Sequence, residues 1–296
     1  KLSSIMCKNL SRIALFFRKP DRNKVTEKMQ NNYMEELSPL LEQYAEDPDF
    51  ITAFARGLVI FQVLSNSKRP QSISDIAKIT GFPRATVRRG LYTLVRLGYV
   101  SQNDREYTLT SKILTLSHSF ISSQSLPNAA QPILENITKE VDEASSMAVL
   151  AQSNIVYIAR SSENTQRIMS NTLAIGSQLP ACCTSMGRVL LAAEPKERQI
   201  ELLAQHQLKI YTPNTIHTEE DLLAELERIK EQGYAIIDQE LEIGLRSIAV
   251  PVYDKSGAII AAINISTHAM RNSVEDMINK FLPVLQRSAQ LLRTFL

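Results

Sequence analysis

From residue 51 onward, apolar side chains return every three or four positions at Phe54, Leu58, Phe61 and Leu64, and then stop at the polar stretch "SNSKRP". That spacing predicts an amphipathic helix. A shorter helix is expected in "SISDIAKITGF", with Ser74 as its cap, Ile76, Ala77 and Ile79 as its apolar side, and Gly81 as the turn that follows. The next stretch, "GFPRATVRRGLYTLVRLGYV", sorts cleanly on a helical projection. Val87, Leu91, Leu94 and Val95 share one side, and Arg84, Ala85, Arg88, Arg89, Tyr92 and Arg96 the other. Pro83 suits its first turn and Gly98 its end. The period then drops to two in "YVSQN" and "EYTLT", on either side of Asp104 and Arg105, which predicts a hairpin. Three helices followed by a hairpin form a winged helix-turn-helix.

Beyond it, "KILTLSHSFISS" predicts a linker helix, Leu126 and Pro127 a break, and "NAAQPILENITKEVDEA" a further helix. Strand signals take over in "SMAVLAQ" and "NIVYIARSS", with Ser153 and Asn154 at the tip between them, and again in "RIMSNTLAIGSQL". "TSMGRVLLAAE" and "EEDLLAELERIKEQG" read as helices, the second stopped by Gly233. The strand "YAIIDQE" precedes a hairpin in "SIAVPVYDKSGAIIAAINIS" that turns at residues 254–257. A last helix is expected to bury Val274, Ile278, Phe281, Leu285, Leu292 and Phe295. The predicted fold class is α+β: a winged helix-turn-helix over 51–110, a linker helix over 111–126, and an antiparallel sheet with flanking helices, of the GAF/PAS kind, over 127–296. Residues 1–50 are expected to be a leader and flexible arm, with initiation at Met29 or Met34.

Charge divides the chain at the same place. Residues 51–123 hold ten Lys/Arg against three acids, whereas residues 124–296 hold fifteen against twenty. A basic module joined to an acidic one suits a polyanion-binding domain with a regulatory partner. The helix after such a turn enters the DNA major groove N-terminus first. Arg84, Ala85, Thr86 and Arg88 are therefore candidates for base edges, Arg89, Tyr92 and Arg96 for phosphates, and Arg105 for the wing.

A winged helix also serves as a dimerisation cap on enzymes such as methyltransferases. Such an enzyme needs a glycine-rich nucleotide loop, and neither G-x-G-x-x-G nor G-x-x-x-x-G-K occurs among the nine glycines. His118, His206, His217 and His268 are scattered without metal-ligand spacing, and Ser185 in "CCTSMG" lacks a nucleophile elbow. Cys7, Cys182 and Cys183 make neither a disulfide framework nor a metal knuckle; Cys182 and Cys183 read as two small buried side chains, and a reducing cytoplasm is expected. The reading is therefore not an enzyme, with no metal and no cofactor. Thr184 and Ser185 open a helix, where hydroxyls and free N–H groups suit a carboxylate.

The winged helix, "IGSQLPACCTSMGRVLLA" and "GYAIIDQELEIGLRSIAVPVYDKSGAIIAAINIS" together resemble the IclR family of bacterial transcription regulators across residues 51–296. Within it, "RIMSN", "LPACCTSMGRVLLAA" and "GLRSIAVPV" are most similar to regulators of aromatic-acid breakdown in the β-ketoadipate pathway that respond to protocatechuate or 4-hydroxybenzoate. The resemblance implies an effector pocket lined by Ile168, Asn171, Leu179, Ser185, Met186, Ile237, Ser247, Asn264 and Ser266. Some relatives carry an acid at Ile237 and a cysteine at Ser247. The expected effector is a small aromatic carboxylate. Its acid group is placed at Thr184 and Ser185 with Arg160 or Arg167 nearby, its ring among Ile168, Leu179 and Met186, and its hydroxyls at Ser247, Asn264 and Ser266. The implied partners are operator DNA, a second copy or a dimer of dimers, and RNA polymerase, with the chain acting as an activator.

Overall fold

The computed structural model describes residues 41–67, 69–116, 125–161, 173–205 and 208–295. The chain divides into two compact units, Lys1–Ser117 and His118–Leu296.

In the first unit, α1 (Thr52–Asn66) is followed by the short strand β1 (Gln71–Ser72), α2 (Ile73–Thr80), α3 (Arg84–Arg96), β2 (Val100–Asn103) and β3 (Glu106–Leu109). The cap of α2 is Ser72, not Ser74. Its hydroxyl accepts from Asp75 N while Asp75 Oδ2 accepts from Ser72 N, a reciprocal box that places Ser74 inside the first turn. The chain then turns at Gly81, whose φ of +70° is open to glycine at little cost. The three helices enclose Ile60, Val63, Leu64, Ile76, Val87 and Leu91, closed below by Val100 and Tyr107. Helix α1 therefore carries two apolar stripes. Val59, Ile60, Val63 and Leu64 face this core, whereas Phe54 and Leu58 from the expected amphipathic face stay exposed.

In the second unit, α4 (Ser125–Val141) leads into a six-stranded antiparallel sheet of order β6-β5-β4-β9-β8-β7. Its strands are β4 (Ala144–Ala151), β5 (Asn154–Ser161), β6 (Gln178–Pro180), β7 (Ala235–Asp238), β8 (Leu245–Tyr253) and β9 (Ile259–His268). The expected break at Leu126-Pro127 is absent, because Pro127 lies in the first turn of α4, where a missing N–H costs nothing. The β4–β5 tip is Gln152 and Ser153 rather than Ser153 and Asn154, with Gln152 at φ 54°.

The two faces of the sheet differ in side-chain size. Met147, Ile158, Ile248, Val250, Val252, Ile263 and Ile265 fill one face against α4 and the C-terminal helix. The opposite face carries Ala148, Ala235, Ala249 and Ala262 with Ile155 and Tyr157, and is covered by α5 (Ser185–Ala193), on which α7 (Glu219–Gln232) packs in turn; α6 (Lys196–Ala204) joins the same cluster. The short alanines keep that floor low. The C-terminal helix runs through α8 (Val274–Asp276), a π-helical turn at Met277–Phe281 and α9 (Leu282–Phe295). The π turn inserts a residue and shifts the buried stripe to Met277, Phe281, Leu282, Leu285 and Leu292. Val274 and Ile278 are consequently half-buried, and Phe295 is exposed.

Candidate functional site

Helix α3 presents its cations as the projection requires. Arg84, Ala85, Arg88, Arg89, Tyr92 and Arg96 are exposed, and Val87 and Leu91 are fully buried. Thr86 is half-buried at the edge of this face. Gly90 lets α3 settle on α1, where an added Cβ would come within 2.6 Å of Ile60 Cδ1. Arg96 stacks its guanidinium 5.0 Å from the Tyr92 ring centre. Arg105 follows Asp104 (φ 52°) in the turn of the β2–β3 hairpin. Among the described residues no carboxylate pairs with any of these arginines. Exposed cations held on a rigid helix and a hairpin tip fit a polyphosphate surface.

In the second unit, the expected site residues gather on the alanine face. Register places Ile237 opposite Ser247, Ser247 opposite Ser266, and Asn264 between Ser146 on β4 and Ala249 on β8. Ser146 pairs in turn with Arg160 on β5. Paired residues share a face. Helix α5 lies over these strands, bringing in Ser185 and Met186; Met186 and Leu179 pack with Tyr157 and the alanines. Ile237 is buried as well. Arg167, Ile168 and Asn171 lie outside the described residues.

The polar groups on this face are unevenly satisfied. Asn264 Nδ2 donates to Ser266 Oγ at 3.1 Å, while Asn264 Oδ1 and Ser185 Oγ are buried with no hydrogen-bond partner. Turning the amide round would exchange its ends but still leave one unsatisfied. Leaving such groups unpaired costs about 1–3 kcal/mol each, so the pair points to a bound polar ligand. Arg160 is half-buried, and its hydrogen bond to Ser146 Oγ at 3.3 Å is accompanied by no carboxylate among the described residues. Burial draws its pKa down, with the Tyr157 phenol acting the other way.

Thr184 is engaged elsewhere. Its hydroxyl donates to Pro180 O at 3.0 Å and accepts from Gly187 N at 3.2 Å, so it acts as the N-cap of α5 and is not available to a carboxylate. Immediately before it, Cys182 and Cys183 form a buried 3₁₀ turn (Ala181–Cys183) as two free thiols. Their mutual hydrogen bond lowers the pKa of Cys182 and raises that of Cys183.

Four residues of this region escaped the sequence reading: Ser146, Tyr157, Arg188 and Glu240. Tyr157 is fully packed, and burial pushes its phenol from 10.0 up to about 12. Because the folded state holds this proton more tightly, its contribution to stability is complete below pH 10 and is lost as pH rises toward 12. Spectrophotometric titration should accordingly show one late-ionising phenol that disappears in Tyr157→Phe; an unchanged titration curve would refute it. Arg188 and Glu240 form a bidentate buried pair, Nη1 to Oε1 at 2.8 Å and Nη2 to Oε2 at 2.5 Å. They are 52 residues apart, so no local pattern could have paired them.

A separate open cleft of about 520 Å³ lies between Thr215–His217 and the Asp221, Glu225 and Arg228 side of α7. Arg228 is already paired with Glu225 at 2.7 Å, the Asp221 carboxylate accepts from Thr218 Oγ1, and no unsatisfied buried atom faces the cleft among the described residues. The alanine face is the better ligand site on chemical grounds.

Comparison with known proteins matches each of the two units to a known domain. Residues 53–104 match the IclR helix-turn-helix domain, and residues 118–293 match the C-terminal domain of IclR bacterial transcriptional regulators. The Pca regulon regulatory protein of Pseudomonas putida is 45% identical over 245 residues, covering 83% of this chain and 84% of that one. The inducer-binding domain of the Acinetobacter transcription factor PobR, solved as a double mutant with 3-hydroxybenzoic acid, is 35% identical with a TM-score of 0.53 over 57% of this chain and 98% of its own. An IclR homologue from Microbacterium hydrocarbonoxydans, solved with 4-hydroxybenzoate, is 25% identical with a TM-score of 0.69 over 82% of this chain and 98% of its own. With both domains matched in order, the chain belongs to the IclR family of DNA-binding, ligand-responsive bacterial transcriptional regulators.

Proposed function

We propose that this regulator activates genes of aromatic-acid breakdown when a hydroxybenzoate, protocatechuate or 4-hydroxybenzoate, binds the alanine face of its C-terminal domain. One observation carries the reading: Arg160, a half-buried cation with no acidic partner among the described residues, shares that face with two unsatisfied buried atoms, Asn264 Oδ1 and Ser185 Oγ. The carboxylate seats on Arg160 and Ser146. Strands two apart are separated by about 10 Å, and a guanidinium and an amide reaching toward each other narrow this to the length of a hydroxybenzoate. A para-hydroxyl donates to Asn264 Oδ1 and accepts from Ser185 Oγ, so a single group satisfies both orphans. A second hydroxyl turns to Ser247 and Ser266. The ring lies on Leu179, Met186 and Tyr157. This orientation departs from the one expected at the start of α5, because Thr184 is spent on its cap. The P. putida relative's name and the two hydroxybenzoate complexes support the chemical class.

Titration calorimetry of the full chain against hydroxybenzoates, benzoate and aliphatic keto acids tests the reading. Binding of glyoxylate or pyruvate with no aromatic acid bound would overturn it. On the DNA side, Arg84→Ala or Arg88→Ala should cost about 1–3 kcal/mol and relax base preference. Arg96→Ala should weaken all sequences alike and flatten the salt dependence. Gel shifts against operator and scrambled DNA at several salt concentrations check this, and the reverse pattern would mean that a different face of α3 enters the groove. The exposed Phe54 and Leu58, with half-buried Phe61, supply the contact between DNA-binding domains of a homodimer or a dimer of dimers in the cytoplasm, and RNA polymerase is the partner of the activated complex.

A further inference from the structure

Arg188 is among the largest fully buried side chains of the chain, and each part of its guanidinium is used. Nη1 and Nη2 grip the Glu240 carboxylate, and Nε donates to Cys182 O at 2.7 Å. Glu240 is equally committed. Its Oε2 also accepts from Ile216 N at 3.1 Å, and its carbonyl accepts from Thr215 Oγ1 at 2.6 Å and Thr212 Oγ1 at 3.2 Å. One ion pair thus ties together the 3₁₀ turn, helix α5, the segment before α7 and the end of β7.

A buried pair of this kind is weak evidence for stability, because desolvating both charges offsets their attraction. What it does supply is direction. A bidentate guanidinium–carboxylate contact fixes a plane as well as a distance. Arg188 stands three residues after Ser185 on α5, on the same side of the helix, so an anchor at Arg188 sets the rotation of α5 and with it the direction of Ser185 Oγ. Neighbouring backbone reinforces this: Gly187 packs so closely on Ala181 that the helix cannot roll toward the turn.

We infer that Arg188 and Glu240 are positioning residues of the effector site, holding Ser185 Oγ where it recognises the ring hydroxyl of the effector. The inference rests on the hydroxybenzoate reading above. Neither residue touches the ligand. Its signature is therefore a loss of preference for the hydroxyl, not a loss of binding as such.

The test measures dissociation constants of 4-hydroxybenzoate and unsubstituted benzoate for the full chain and for R188K and E240Q, together with thermal melts. Both variants keep the buried volume near that of the original pair but lose the planar bidentate contact. The expected result is that affinity for 4-hydroxybenzoate falls about tenfold, the worth of one buried hydrogen bond, while affinity for benzoate is unchanged. A double variant, R188M with E240L, removes both charges and guards against unfolding of the single variants. It is expected to melt cooperatively and to lack the hydroxyl preference. Cooperative melting with the wild-type preference intact, in any of the three, overturns the inference. A wild-type chain that binds neither benzoate overturns the hydroxybenzoate reading itself, so the two failures are told apart.

Discussion

Replacing Arg160 with methionine should weaken hydroxybenzoate binding about 100-fold or more and leave the melting temperature nearly unchanged. The size follows from what the arginine does. A carboxylate moved from water to a half-buried site loses hydration, and only a charged donor close by restores it. Removing one partner of such a pair costs about 2–5 kcal/mol, and 100-fold corresponds to about 2.7 kcal/mol. The small effect on stability follows from its contacts within the chain: among the described residues the Arg160 guanidinium bonds only neutral Ser146, at 3.3 Å, and is half-buried, so its loss removes little and relieves some desolvation. Ser146→Ala should be milder, near tenfold at most, since Ser146 is a neutral partner. Calorimetry on the three proteins decides the point. If the methionine variant kept its affinity, the carboxylate would have to sit elsewhere on the face, and the orientation proposed here would be wrong.

Gly187→Ala should destabilise the C-terminal unit by about 3 kcal/mol or more, at the upper end of overpacking costs. For a domain of this size that is a fall of roughly 6–12 °C in Tm. An added Cβ would stand 2.3 Å from Ala181 O, 2.4 Å from Ala181 Cα and 2.5 Å from Thr184 Oγ1. Two of those atoms are backbone, and the adjoining turn is tied down because Cys182 O accepts from Arg188. Alanine is the better helix former by about 1 kcal/mol, so helix propensity alone forecasts a gain; here the steric clash wins. At Gly90 the nearest atom is the mobile end of Ile60, a contact that a rotamer change relieves. A cooperative melt of Gly187→Ala at the wild-type temperature would show that the turn yields, and that α5 is less firmly seated than its contacts imply.

Much of this molecule could be read along the chain. The arginine face of α3 was legible because a helix repeats every 3.6 residues and sorts its own side chains, whatever packs against it. The division into a basic and an acidic unit needed only charge. The C-terminal helix was harder, since a π turn over Met277–Phe281 breaks the phase on which its expected stripe depended. In α1, periodicity located the helix but not its inner face. Two apolar stripes were available, and only packing against Ile76, Val87 and Leu91 chose Ile60 and Val63 over Phe54 and Leu58.

The effector site divides along the same line. The family resemblance implied Ser247, Asn264 and Ser266 as pocket residues, and the β8–β9 register, with its two-residue alternation, puts all three on one face. Arg160 and Tyr157 were a different matter. They are three residues apart on β5, an odd number, and strict alternation would place them on opposite faces of the sheet. A β-bulge against Met147 and Ala148 takes up one residue, so Arg160 pairs with Ser146 and Tyr157 with Ala148, both on the alanine face. Likewise Arg188 and Glu240 meet across 52 residues only when α5 and β7 have docked. Local chemistry sufficed wherever a residue's direction depends on its own helix or strand. The bulge and the docking are settled by long-range pairing, and they decide which cation shares a face with Ser247, Asn264 and Ser266.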